Sequence, residues 1–76
     1  MRSQAYVIYD KEAEECGPIV LAKNDKVAIR KFHDSLKKLD NCTIDEFKLV
    51  RIGELDHDQI IFTVSEAIEV DVPQEE

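Results

Sequence analysis

Residues 24–39, NDKVAIRKFHDSLKKL, carry the one pattern in this chain that fixes both a structure and a chemical surface. Ala28, Ile29, Phe32, Leu36 and Leu39 recur at intervals of one, three and four, which gathers them within roughly 120° of arc at 3.6 residues per turn. They form the buried face of an amphipathic helix. Lys23, Lys26, Arg30, His33 and Lys37 recur three or four apart and stack into a second, basic stripe pointing away from the first. Asn24 or Asp25 suits the N-cap, where a side-chain oxygen accepts from an orphan first-turn N–H. Lys37 and Lys38 complement the other end of the dipole, and Asp40-Asn41 supplies turn-tolerant residues where the apolar period stops.

Outward from this helix, residues 4–10 (QAYVIYD) are rich in β-branched and aromatic residues and predict a strand. Residues 11–17 (KEAEECG) break that pattern and predict an exposed loop. Residues 18–22 (PIVLA) predict a short second strand with Pro18 at its start, paired to the first as a hairpin. After the helix and a linker over 41–45, residues 46–55 (EFKLVRIGEL) predict the longest strand, with Gly53 marking a bulge or a close backbone approach. Asp56-His57-Asp58 predicts a polar turn, and residues 59–64 (QIIFTV) a fourth strand. Residues 65–70 extend that strand or form a separate edge piece. The expected fold is a single α+β domain over residues 1–69, a small antiparallel sheet with one amphipathic helix on one face in the order ββαββ. Residues 70–76 are expected to be an acidic flexible tail.

Both faces of the first and third predicted strands are apolar, and one helix covers only one face of a sheet. The sequence therefore predicts a homodimer, packed sheet to sheet or edge to edge.

At 76 residues the chain holds one core, and 43% hydrophobic residues with two glycines and two prolines place it among folded domains. No apolar run approaches the ~20 residues of a membrane span and the first ten residues lack a signal-peptide core, so no membrane partner is expected and the compartment is cytosolic. Cys16 and Cys42 are then expected as free thiols. A zinc site from Cys16, His33, Cys42 and His57 lacks the close ligand pair that structural sites use, so no metal and no cofactor are expected.

The charge of −7 is unevenly spread: residues 23–38 carry +4, which leaves −11 on the remainder. A basic face on an acidic body attracts a polyanion locally and in one orientation, although lysines also commonly do no more than solvate a helix. Catalytic residues are not expected. His57 has carboxylates on both sides, but adjacent turn residues project differently and no nucleophile is identifiable beside it.

Three segments resemble a known family: YVIYDKEA at 6–13, PIVLAKNDKVAIRKFHDSL at 18–36 and DEFKLVRIGELD at 45–56. The paired blocks NDxxAIRxFxD, from Asn24 to Asp34, and RIGELD, residues 51–56, resemble the small nonstructural protein encoded by the fifth open reading frame of gokushoviruses, tailless single-stranded-DNA phages of the Microviridae. The resemblance implies a viral protein in the cytoplasm of the infected bacterium, linked to DNA binding and to the switch from duplex replication to production of packaged single strands. It implies Arg30 and Arg51 as DNA contacts; the surface argument adds Lys23, Lys26, His33 and Lys37. Two readings stand. In one, the helix stripe holds phosphates of single-stranded or duplex DNA while Tyr6, Tyr9 or Phe47 stacks on unpaired bases. In the other, a dimeric module docks on a phage replication or assembly protein and never contacts DNA.

Overall fold

The computed structural model describes residues 1–38 and 44–73. Strand β1 (Arg2–Asp10) is the centre of the sheet, because both of its edges are paired. On one edge lie β2 (Glu15–Cys16), opposite Tyr9 and Asp10, and β3 (Val20–Ala22), opposite residues 4–6. On the other edge lies β4 (Phe47–Asp56), which in turn pairs with β5 (Ile61–Glu69); every pairing is antiparallel. Helix α1 (Asp25–Lys37) follows β3, and a 3₁₀ turn at Ile44–Glu46 leads into β4.

This corrects the expected architecture of a small four-stranded ββαββ sheet. The chain forms mostly sheet, a five-stranded antiparallel one curled into a half-barrel, with one helix. Part of the reason is residues 11–17, expected to be a loop. The Asp10 carboxylate accepts from the N–H groups of Glu12 at 3.0 Å and Ala13 at 3.1 Å, and Glu14 adopts a left-handed φ of 57°. The chain reverses there and re-enters beside β1 as β2, with the Gly17 N–H donating to the Ile8 carbonyl at 2.9 Å. Pro18, lacking an N–H, interrupts the pairing before β3 resumes it. The expected second strand over residues 18–22 is thereby shortened to β3, and β2 is an added strand within the expected loop.

The other reason is β5, which continues past Val64. Between the pairs Gly53↔Val64 and Arg51↔Ile68, one residue of β4 faces three of β5, a bulge that lets the strand run on to Glu69. Gly53 sits at that irregularity. A Cβ there would stand 2.4 Å from the Thr63 carbonyl oxygen and 2.9 Å from the Phe62 ring, so the backbone approach is one that only glycine permits.

Tyr6, Ala22, Ala28, Phe32, Leu49 and Val70 form the core between sheet and helix, with Ile29 and Leu36 packed at its margin. The helix face is the one its period predicts; Leu39, the Asp40-Asn41 turn, residues 41–43 of the linker and Cys42 lie outside the described residues. The domain boundary drawn at residue 69 moves outward. Val70 is buried, its N–H donates to the Leu49 carbonyl at 2.8 Å, and Val72 packs on the core. Residues 74–76 of the expected tail lie outside the described residues.

The need for cover also shifts. Ala5 and Val7, on the β1 face outside that core cluster, are already buried within the single chain. The exposed apolar surface is concentrated on β5 instead, where all nine residues are exposed.

Candidate functional site

The N-terminus of α1 is built as its sequence dictates. Asn24 has an extended backbone, its side-chain oxygen accepts from the Val27 N–H at 3.0 Å, and its carbonyl accepts from the Ala28 N–H at 3.0 Å. Asp25 then stands in the first turn, at the positive end of the helix dipole.

Its carboxylate joins three elements. Tyr6 of β1 is fully buried, and its hydroxyl donates to Asp25 Oδ1 at 2.5 Å. Arg51 of β4 is in register with Tyr6, and its Nη1 donates to both Asp25 oxygens at 3.3 Å. Burial, reinforced by the Asp25 carboxylate, pushes the Tyr6 hydroxyl far above the usual tyrosine range, with Arg51 opposing. The Arg51–Asp25 ion pair is partly solvated and is worth about 0–1 kcal/mol, so its main effect is to fix geometry.

Lys23, Lys26, Arg51 and Gln4 surround an open depression of about 470 Å³ at this helix end. From there Arg30 and Lys37 continue along the exposed side of α1. The sequence-predicted site residues thus divide. Lys23, Lys26 and Arg51 are brought together, Arg30 and Lys37 extend the row, and His33 turns toward the core. Its ring is half-buried, tilted against Phe32 with centroids 6.0 Å apart. Arg51 enters the cluster with part of its charge already committed to Asp25. Lys31 lies outside the row and donates from Nζ to the Leu21 carbonyl at 2.7 Å.

The proposed base-stacking residues fare differently. Tyr6 is buried and bonded to Asp25, which removes it as a platform. Tyr9 is half-buried with the Lys48 ammonium 5.1 Å from its ring centroid, and Phe47 packs against the core. Cys16 is an exposed free thiol.

A contact the sequence did not reveal closes the sheet where β1 begins, at the same end as the α1 N-terminus. The His57 ring nitrogen Nε2 and the hydroxyl of buried Ser3 are 2.8 Å apart, the His57 N–H donates to the Met1 carbonyl at 2.8 Å, and the Met1 ammonium contacts the Asp58 carboxylate. The turn itself was legible. Asp56 accepts from the N–H groups of Gln59 and Asp58, which hold its carboxyl below the usual range. Its partner Ser3 was not, because it lies 54 residues away. Among the described hydrogen bonds none orients the second ring nitrogen of His57, so the arrangement is a clasp between strand and turn.

A larger groove of about 670 Å³ beside this clasp is lined in part by Arg2, Gln4, Glu54 and Asp56. These four pair with one another: Arg2 lies 3.5 Å from Glu54 and 3.9 Å from Asp56, and the Gln4 amide donates to Glu54 at 3.1 Å. Among the described residues no group of three or more His, Cys, Asp or Glu is arranged to hold a metal ion, and no helix is long and apolar enough to cross a membrane.

No curated protein and no solved structure matches the chain. A family model described as Phage ORF5 protein matches residues 3–72, which is nearly the whole length. The chain belongs to this family of phage proteins.

Proposed function

We propose that this protein is a non-enzymatic phage nonstructural protein that binds DNA stoichiometrically through the basic end and outer row of α1. It would assist genome replication or the switch to single-stranded DNA synthesis and packaging. The observation that carries this reading is the convergence of Lys23, Lys26 and Arg51 on one depression, continued by exposed Arg30 and Lys37, on a chain of net charge −7. Membership of a phage family supports the setting; the finer placement among gokushoviruses rests on the sequence blocks at 24–34 and 51–56.

The acidic body orients the encounter. It repels DNA everywhere except along the helix row, so the row meets the backbone first. Contacts to phosphate oxygens carry no sequence information, so the affinity this row draws from phosphates is independent of sequence. A phosphate that reaches Arg51 competes with Asp25 for the guanidinium. Lys23, Lys26, Arg30 and Lys37 supply the remaining contacts along the row.

Four phosphate contacts give a slope of log affinity against log salt of roughly −3 for single strands and −3.5 for duplex. The test is fluorescence anisotropy with labelled single-stranded and duplex DNA across several salt concentrations, comparing wild type with the Lys26→Glu, Arg30→Glu, Lys37→Glu triple variant. Salt-sensitive binding that disappears in the folded variant supports the reading. Absence of binding at low salt rejects it.

The second reading, a module that docks on a phage replication or assembly protein, is favoured by a different observation: the exposed apolar side chains of β5. It predicts no salt-dependent DNA binding and an interface centred on that strand.

A further inference from the structure

We infer that β5 is the docking edge for a second copy of this chain, pairing antiparallel with its counterpart about a two-fold axis at Thr63. The inference stands independently of the DNA reading.

Strand β5 is the terminal strand of the sheet, nine residues long, and every residue is exposed. Val64 is 76% exposed, Ile68 47% and Phe62 43%, and Ile60 in the preceding turn reaches 84%. Ile60 also adopts a φ of 57°, a left-handed conformation that is a true outlier for a β-branched residue. A glycine or asparagine would fit that turn without strain, so the structure holds a large apolar side chain outward where a cheaper residue would serve.

The occupant follows from the strand's own pattern. Residues 59–65, QIIFTVS, form an uncharged run of seven in a chain that is 36% charged. Two copies of charge −7 repel over most of their surfaces, and here they meet without opposing charges. Phe62 pairs with Leu55 and Val64 with Gly53 on β4, so alternation puts Phe62 and Val64 on one face of β5. A two-fold axis at Thr63 sets Phe62 opposite the second copy's Val64, and Val64 opposite its Phe62. Ile61 then faces Ser65, and Ile60 faces Glu66. The register is self-complementary, as a two-fold interface requires.

Exposed apolar patches of this kind span about 300–600 Å² on one chain. Two of them give roughly 600–1,200 Å² in total, whose upper end reaches the range of weak, transient association. A two-fold axis perpendicular to the sheet leaves both copies of α1 on the same side. The dimer would thus carry its two basic rows on one surface, doubling the phosphate contacts open to a single DNA strand or duplex.

Sedimentation velocity of the full chain without DNA tests the assembly. The expected result is a monomer–dimer equilibrium across about 10–500 µM, weakened at least about tenfold by Val64→Lys, whose circular dichroism matches wild type. A register test complements it. In a Cys16→Ser, Cys42→Ser background, Thr63→Cys is expected to form an interchain disulfide under mild oxidation, and Ile61→Cys to do so far more slowly. A monomer throughout that range, a dimer indifferent to Val64→Lys, or cross-linking as fast at 61 as at 63 would overturn the inference. Because neither readout involves DNA, failure here and failure of the DNA reading are separately visible.

Discussion

Along one edge of the sheet, β2 and β3 contribute two and three residues separated by Gly17, Pro18 and Ile19, and the chain leaves β3 for α1 through only Lys23 and Asn24. Along the other, β5 runs nine residues, all of them exposed. The first edge is defended by brevity, by a proline and by Lys31, whose ammonium takes the Leu21 carbonyl. The second has the bulge between Val64 and Ile68 and the charges of Glu66 and Glu69 at its far end, and the residues ahead of them are uncharged and regular. A single small sheet can thus hold a closed edge and an open one, and the difference locates its surface for partners. Helix α1 belongs to the closed side, so the basic row and the apolar edge are separate surfaces that can act together.

The contrast can be broken at β5 itself. Gly53→Ala drives a Cβ into the Thr63 carbonyl and the Phe62 ring, and is expected to cost about 3 kcal/mol by overpacking. Urea unfolding measures the loss, and hydrogen exchange should show lost protection first in the β4–β5 ladder, with α1 keeping its own.

A smaller effect sharpens the closed side. Tyr6→Phe removes the hydroxyl that donates to Asp25 and is expected to cost about 2 kcal/mol, the range for a hydrogen bond to a charged group. Here the protection should fall at the start of α1 and leave β5 unchanged. The same variant carries a pH signature. With its folded pKa raised, Tyr6 contributes stability that is fully present below the ordinary tyrosine value of about 10 and is lost as pH rises through the folded value. Wild type should therefore lose stability above about pH 10 by a margin that Tyr6→Phe does not share. Equal alkaline slopes in the two proteins would contradict this assignment.

The smallest effect has the opposite sign. Ile60→Gly relieves the left-handed strain and is expected to stabilise the monomer by about 1 kcal/mol, net of the added chain entropy of glycine. It also removes an apolar side chain from the β5 end, so thermal stability should rise while dimer formation weakens. A loss of stability would show that Ile60 packs within its own chain.

Much of the closed side was legible because its determinants are local. The period of Ala28, Phe32 and Leu36 and the capping side chain of Asn24 act within a few residues of one another, and α1 follows from them. Gly53 was legible for a similar reason: a glycine inside an apolar strand marks close approach. Strand β2 was not, because two residues of pairing depend on a turn whose left-handed position is occupied by Glu14 and not by a glycine. The full length of β5 depended on a bulge that composition does not encode. In the candidate site, the exposed members of the stripe came from helical spacing, whereas the burial of Tyr6 and the commitment of Arg51 to Asp25 arise from β1–β4 register. That register joins residues far apart in sequence, and so lies beyond periodicity.

The same register has a consequence for how the molecule comes into being. Strand β1 is synthesised well before β4, yet β4 is its main partner, in pairs running from Asp10 with Phe47 to Arg2 with Asp56. Until translation has delivered β4, the nascent chain has only the β1–β2–β3 hairpin and the helix as local structure. Loop closure over such separations is entropically costly and slow. The sheet therefore cannot close until β4 has been synthesised, which leaves β1 with one open edge until then.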